Sequence, residues 1–234
     1  MLMPDGCGFY LDDISIPVSW YMINKDRNDH LYYRIIGNAD DDTYAGMVSV
    51  GFVVVPEGNY SLIDLNDAIV VELNKHLVNF FQSIGTLKTD TIGLSTNKPI
   101  SFAILTDAEL DSAGFSSANP RSINKVLRNF TPKVNSKNSP YVSGYVDLVP
   151  IRNIYITSSG LGNFNTMSIS GERAIVKKVP VTSGYCEVVH DQNAVGIDYL
   201  DCSKQTLSRF GFQLKDVFGN IIDLNGQHWS FSIV

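Results

Sequence analysis

Residues 210–234 read FGFQLKDVFGNIIDLNGQHWSFSIV, and no other stretch limits the possible folds so strongly. Phe210, Phe212 and Leu214 alternate with Gly211, Gln213 and Lys215, while Trp229, Phe231 and Ile233 alternate with Ser230, Ser232 and Val234. Period two is the mark of a strand with one buried face. Gly219-Asn220 and Asn225-Gly226 mark turns, with the apolar run Ile221, Ile222 and Leu224 between them. A strand carrying Trp, Phe and Ile on one face needs a second apolar layer opposite, so the stretch predicts a sheet packed on a sheet. We expect Trp229, Phe231 and Phe212 in that core, beside Leu73 or Phe80.

The remaining segments supply the other strands. Residues 9–23 alternate through Ile14, Ile16 and Val18, and Pro17 predicts an edge strand or a bulge because it cannot donate to a ladder. Further strands are expected over 31–36, 47–55, 91–94, 100–105, 142–148, 153–157, 174–181, 185–189 and, briefly, 197–200. Polar or turn-rich segments at 24–30, 37–44, 132–140 and 158–166 separate them. One stretch has a different period. Leu65, Ile69, Leu73, Leu77, Phe80, Phe81 and Ile84 recur at three- and four-residue spacing, which predicts a long helix over 61–84. Ser61 and Asp64 suit its start and Gly85 its end. Short helices are expected over 107–113 and from Asn119-Pro120 to about Arg128. Many short strands with regular turns and a single long helix predict an all-β jelly-roll β-sandwich, with residues 1–234 as one domain.

Charge and cysteine usage exclude several classes. The 234 residues carry a net charge of −6, which argues against direct nucleic-acid binding. Three cysteines, Cys7, Cys186 and Cys202, form no CxxC pair, and such sparse usage suggests reduced thiols and synthesis inside a cell. No stretch reads as a signal peptide or a membrane span. The sequons at Asn59 and Asn129 are read as chance.

Chemistry is sparse. His76 falls near the edge of the helical stripe, and Cys186 and His190 lie too far apart along one strand for an ion pair. His228 precedes Trp229 and falls on the other face, as a strand-end surface residue. Asp40-Asp41-Asp42 lacks the alternation and distal Glu of a calcium loop. Gly160-Leu161-Gly162 lacks the third glycine of a phosphate loop, and Lys177-Lys178 is a pair rather than a patch. The expectation is therefore no enzyme, with no catalytic residue, cofactor or metal site. Loops carrying Phe115, Leu161 and Phe164 present apolar groups suited to contact with other subunits.

Several blocks, taken in order, resemble the penton (minor capsid) proteins of Polinton-like, adintovirus-like and virophage-like elements. They are DDISIPVSWYMIN at 12–24, VPEGNYSLIDLNDAI at 55–69, VPIRNIYITSSGLGNF at 149–164, IVKKVPV at 175–181 and LSRFGFQLKDVFGNIIDLNGQHWSFSIV at 207–234. The resemblance implies a single jelly roll forming homopentamers at the fivefold vertices of a virion. Its partners would be other copies of itself, neighbouring major capsid proteins, and a host receptor or vertex fibre. It also implies a strand-bearing segment before Asp12, where eleven residues stand. Two rival readings stand beside it: a jelly-roll receptor- or carbohydrate-binding attachment module, marked by an exposed aromatic platform or a Ca²⁺ site, and a hydrolase, marked by a pocket with converging His and Asp.

Overall fold

Period-two segments become antiparallel ladders throughout the computed structural model, which describes residues 5–83, 90–118, 121–132, 140–158, 175–192, 199–202 and 211–234. In chain order the strands begin with β1 (Gly8–Phe9), β2 (Leu11–Pro17), β3 (His30–Gly37) and β4 (Val48–Val54). Helix α1 (Leu62–Leu77) follows, then β5 (Phe81–Ser83), β6 (Gly93–Thr96), β7 (Ile100–Ile104), the short helix α2 (Asn124–Leu127) and β8 (Tyr141–Val142). The chain continues through β9 (Asn153–Ser158), β10 (Ile175–Pro180), β11 (Val188–Asp191), β12 (Leu200–Asp201), β13 (Phe212–Lys215) and β14 (Ser230–Ile233). The fold is all-β and jelly-roll-like with one long helix, as the sequence predicts.

The chain divides into two compact units. One combines Met1–Trp20 with Ile151–Val234, and the other is the intervening Tyr21–Pro150. The discontinuous unit holds the three-stranded sheets β11-β2-β14 and β10-β9-β13, and the short ladder β1-β12. Ile14 and Ile16 from the first sheet share a core with Ile154, Ile156, Val179 and Leu214 from the second. Strand β2 is central rather than an edge, because β11 and β14 pair with its two sides. Pro17 is tolerated as its last residue. The bulge lies instead at Asp13, whose φ is +49°. Ser15 pairs with Ser230 and Asp12 with Ser232, so β2 holds the extra residue. That insertion brings Leu11 to the same buried side as Ile14 and Ile16.

The inserted unit also has two three-stranded sheets, β4-β3-β7 and β5-β6-β8, and adds α1. Ser61 caps the helix by accepting from the Asp64 N–H at 3.1 Å. Leu65, Ile69 and Leu73 are buried from one stripe of α1. The helix is shorter than expected, ending at Leu77 with Val78 in the left-handed region. Asn74 explains the stop, since its amide donates to the Phe81 carbonyl and accepts the Phe81 N–H, both at 2.9 Å. That bracket turns Phe81 into β5, where it faces Thr96. Ile84 and Gly85 lie outside the described residues.

Other expectations also shift. Residues 143–148 do not extend β8: Ser143, Val146 and Asp147 donate their N–H groups to Ile92, Asp90 and Val126 instead of to a ladder. The strand placed at 185–189 starts only at Val188, because Gly184 to Glu187 form a turn closed by the Glu187 carboxylate. Over 107–113 the chain makes two 3-10 turns, Asp107–Glu109 and Asp111–Ala113. The start expected at Asn119-Pro120 lies outside the described residues. Trp229, Phe231 and Phe212 are partly buried around the discontinuous unit's core, with ring centroids 5.0 and 4.8 Å apart in sequence. Leu73 is buried in the core of the inserted unit, and Phe80 packs against that core.

Candidate interaction surfaces

Strand β4 has the sequence VSVGFVV, apolar at almost every position. Val53 points into the core, while Val48, Val50, Phe52 and Val54 are 66%, 37%, 41% and 44% exposed. Strand β3 continues this outer face through Tyr32, Arg34 and Ile36, which lie opposite Phe52, Val50 and Val48. Contiguous exposed apolar surface of this kind is characteristic of interaction sites. One end of the face is aromatic. His30 stacks on Phe52 at 4.8 Å, Tyr32 lies 4.8 Å from Phe115, and Phe52 meets Phe115 edge-on at 6.1 Å. Asp29 fixes the imidazole, its carboxylate 2.7 Å from His30 Nδ1. The sequence signal is ambiguous, because a Val-rich strand also describes one buried on both faces.

A second apolar tip stands on the discontinuous unit at the turn after β13. Phe218 is 62% exposed there. The Asp216 carboxylate holds the turn, accepting from the Phe218 and Asn220 N–H groups at 2.8 and 2.9 Å and from the Asn220 side-chain amide at 2.9 Å. An apolar side chain on so tightly tied a loop loses little entropy on contact. Leu161 and Phe164, the loop groups singled out in the sequence, lie outside the described residues, as does Gly160-Leu161-Gly162. Phe115 is half-buried in the aromatic group.

The candidate chemical residues are scattered. His76 and His228 are exposed. His190 is also exposed, and its Nδ1 lies 3.0 Å from Ser15 Oγ across the β2–β11 ladder. A serine beside an imidazole is one part of a nucleophilic site, but among the described residues no hydrogen bond orients the other ring nitrogen. Cys186 sits in the 184–187 turn with φ at +66° and not in a strand with His190. All three cysteines are free thiols. Asp41 accepts from the N–H groups of Thr43 and Tyr44, tying its own loop. Among the described residues no three His, Cys, Asp or Glu side chains gather as a metal set. No described helix is long and apolar enough to cross a membrane.

Two polar groups are buried where no local pattern signals burial. Lys177 is 5% exposed, its Nζ 3.4 Å from Asp191 Oδ2 and 3.5 Å from the Leu11 carbonyl, so it ties β10 to β11 and β2. In the inserted unit Asn124 donates to the Leu105 carbonyl and to Asp107, each at 2.8 Å. Asn129 donates to the Ile104 carbonyl and to Asn124, and the Tyr141 hydroxyl donates to Asn129 at 3.2 Å. Burial of Asn129, 1% exposed, also removes its sequon from solvent.

These features define a β-rich fold with apolar surface patches, and the candidate chemical residues that are described stand apart from one another. No family model matches the sequence, and no curated protein matches it. Among solved structures, that of the mavirus penton protein is similar, with a TM-score of 0.52 and 12% identity over 95% of this chain and 83% of that chain. At this identity the likeness is one of fold. The ordered sequence blocks and the structural likeness reach the same penton-like fold by separate routes.

Proposed function

We propose that this chain is a structural virion protein, a penton (minor capsid) subunit that forms homopentamers at icosahedral fivefold vertices. The carrying observation is the fold likeness to the mavirus penton protein, which spans nearly the whole chain and therefore includes both units. On this reading residues 1–234 act as one jelly-roll building block in the capsid, performing no catalysis. Their partners are neighbouring copies and major capsid proteins. A ring needs two different complementary patches on each subunit. The Phe218 turn supports this reading as an apolar anchor on a stiff loop.

Fivefold-averaged density of the virion is the test. Density at the vertices fitted by this chain is the expected result, and another protein there would overturn the reading. One observation favours the attachment alternative: Phe52 is an exposed ring within an aromatic group. Glycan-array binding that Phe52→Ala abolishes would support that alternative.

A further inference from the structure

The apolar face of β4 is joined to an open backbone edge. Gly37 donates its N–H to the Met47 carbonyl and Val55 donates to the Asp29 carbonyl, each at 2.8 Å. The register between those bonds pairs Leu31 with Val53, Tyr33 with Gly51 and Ile35 with Ser49. In an antiparallel ladder the bonded pairs alternate, so these odd residues face β3. Val48, Val50, Phe52 and Val54 therefore direct their N–H and C=O groups to the other side. Among the described residues β4 has no neighbour there. Folded proteins blunt such edges with Lys, Pro or a bulge, and VSVGFVV has none of these.

We propose that this edge pairs with β4 of a second copy, joining two three-stranded sheets across a twofold axis. The strand is self-complementary about Gly51. Antiparallel pairing about that centre sets Val48 against Val54 and Val50 against Phe52, so each outward N–H on one strand finds a carbonyl on the other. Gly51 then faces its own counterpart in the closely spaced, non-bonded position, where Cα atoms approach to about 4.5 Å. A side chain at Gly51 would strike its own neighbour, since an added Cβ would lie 2.7 Å from the Tyr33 hydroxyl. The exposed apolar side chains fall on one face of the joined sheet and become cross-strand pairs, valine with valine and valine with phenylalanine. No charge on β4 opposes the approach. Each Arg34 lies beside its own Val50, whose new neighbour is Phe52 of the other copy, so the two guanidinium groups stay apart.

This contact is independent of the fivefold reading, because an isologous twofold pairing takes no part in closing a ring. It links free subunits or subunits of different rings. Sedimentation velocity of the full chain across a concentration series tests it, alongside hydrogen exchange at low and high concentration. The expected result is a twofold rise in mass, from one subunit or from one ring, with slowed exchange at the amides of Val48, Val50, Phe52 and Val54. Val50→Pro removes one outward N–H and leaves the bonds to β3 untouched; it should weaken doubling at least tenfold. Val50→Lys, which adds charge to the same edge, should do likewise. Retained protection of the Gly51 and Val53 amides in either variant verifies the β3 ladder. Absence of doubling at the highest soluble concentration would overturn the proposal. So would doubling that both folded variants retain, or doubling without protection of the four outward amides.

Discussion

The two units solve the same architectural problem with different polar chemistry. Each is built around two three-stranded antiparallel sheets. The discontinuous unit buries mainly aliphatic side chains and ties its sheets with the Lys177–Asp191 ion pair. The inserted unit buries Tyr33, Phe81, Phe102 and Tyr141, and satisfies its polar interior with the neutral network around Asn124 and Asn129. Ions lose more on leaving water than amides do, so the first solution is costlier to break and the second is spread over more partners.

That contrast can be broken most forcefully at Asp191. Replacing it by Ala removes the carboxylate facing buried Lys177 and should cost about 3–5 kcal/mol in chemical denaturation. The double change Lys177→Met with Asp191→Leu should recover most of the loss, since apolar replacement of a buried pair is commonly near neutral. If the single and double variants are equally unstable, packing rather than charge ties the sheets. Asn124→Ala should cost about 1–3 kcal/mol, because it leaves the Leu105 carbonyl and Asp107 without their donor. Trp229→Ala should cost about 1–2 kcal/mol, less than a fully buried aromatic, since the indole is only partly covered. Ser61→Ala should cost about 1 kcal/mol through loss of the α1 cap.

The smallest effect at neutral pH is the most selective between units. Burial pushes the Tyr141, Tyr33, Tyr32 and Tyr60 phenols up, and all four belong to the inserted unit. A raised folded-state value means the neutral phenol is favoured in the fold. The resulting stability is fully present below the unfolded value near 10 and is lost as pH rises through the folded values. In the discontinuous unit burial raises the Cys202 thiol in the same way. With four such groups against one, hydrogen exchange in alkali should therefore show the inserted unit losing more protection. Equal opening of both would remove the tyrosines as the deciding groups.

Fold class was readable because alternation survives the noise of individual residues: β2, β13 and β14 all fall within segments of period two. The bulge at Asp13 was only half legible, since Pro17 announced an irregularity but a ladder partner more than two hundred positions away placed it. The end of α1 was misread because Phe80 and Phe81 continue the helical spacing, whereas the Asn74 side chain captures the backbone of Phe81. Division into two units left no mark in composition, because Trp20 and Ile151 are adjacent in organisation but not in sequence. The outward face of β4 was hidden by its own hydrophobicity, and the Lys177–Asp191 pair joins strands that no local pattern connects. The apolar surfaces on β4 and at Phe218 depend on three-dimensional neighbours that no local pattern names.

The insertion of one unit within another has a consequence for synthesis on the ribosome. Residues 21–150 can complete their sheets as soon as they clear the exit tunnel, while β2 has emerged without either of its partners. Its neighbours β11 and β14 come later, and Tyr10 exchanges both backbone hydrogen bonds with Val234. At roughly 5–20 residues per second, translating 151–234 leaves Ile14 and Ile16 waiting for several seconds or longer. For that interval the nascent chain carries a finished body and an unpaired apolar strand together, which is the state a holding chaperone would meet.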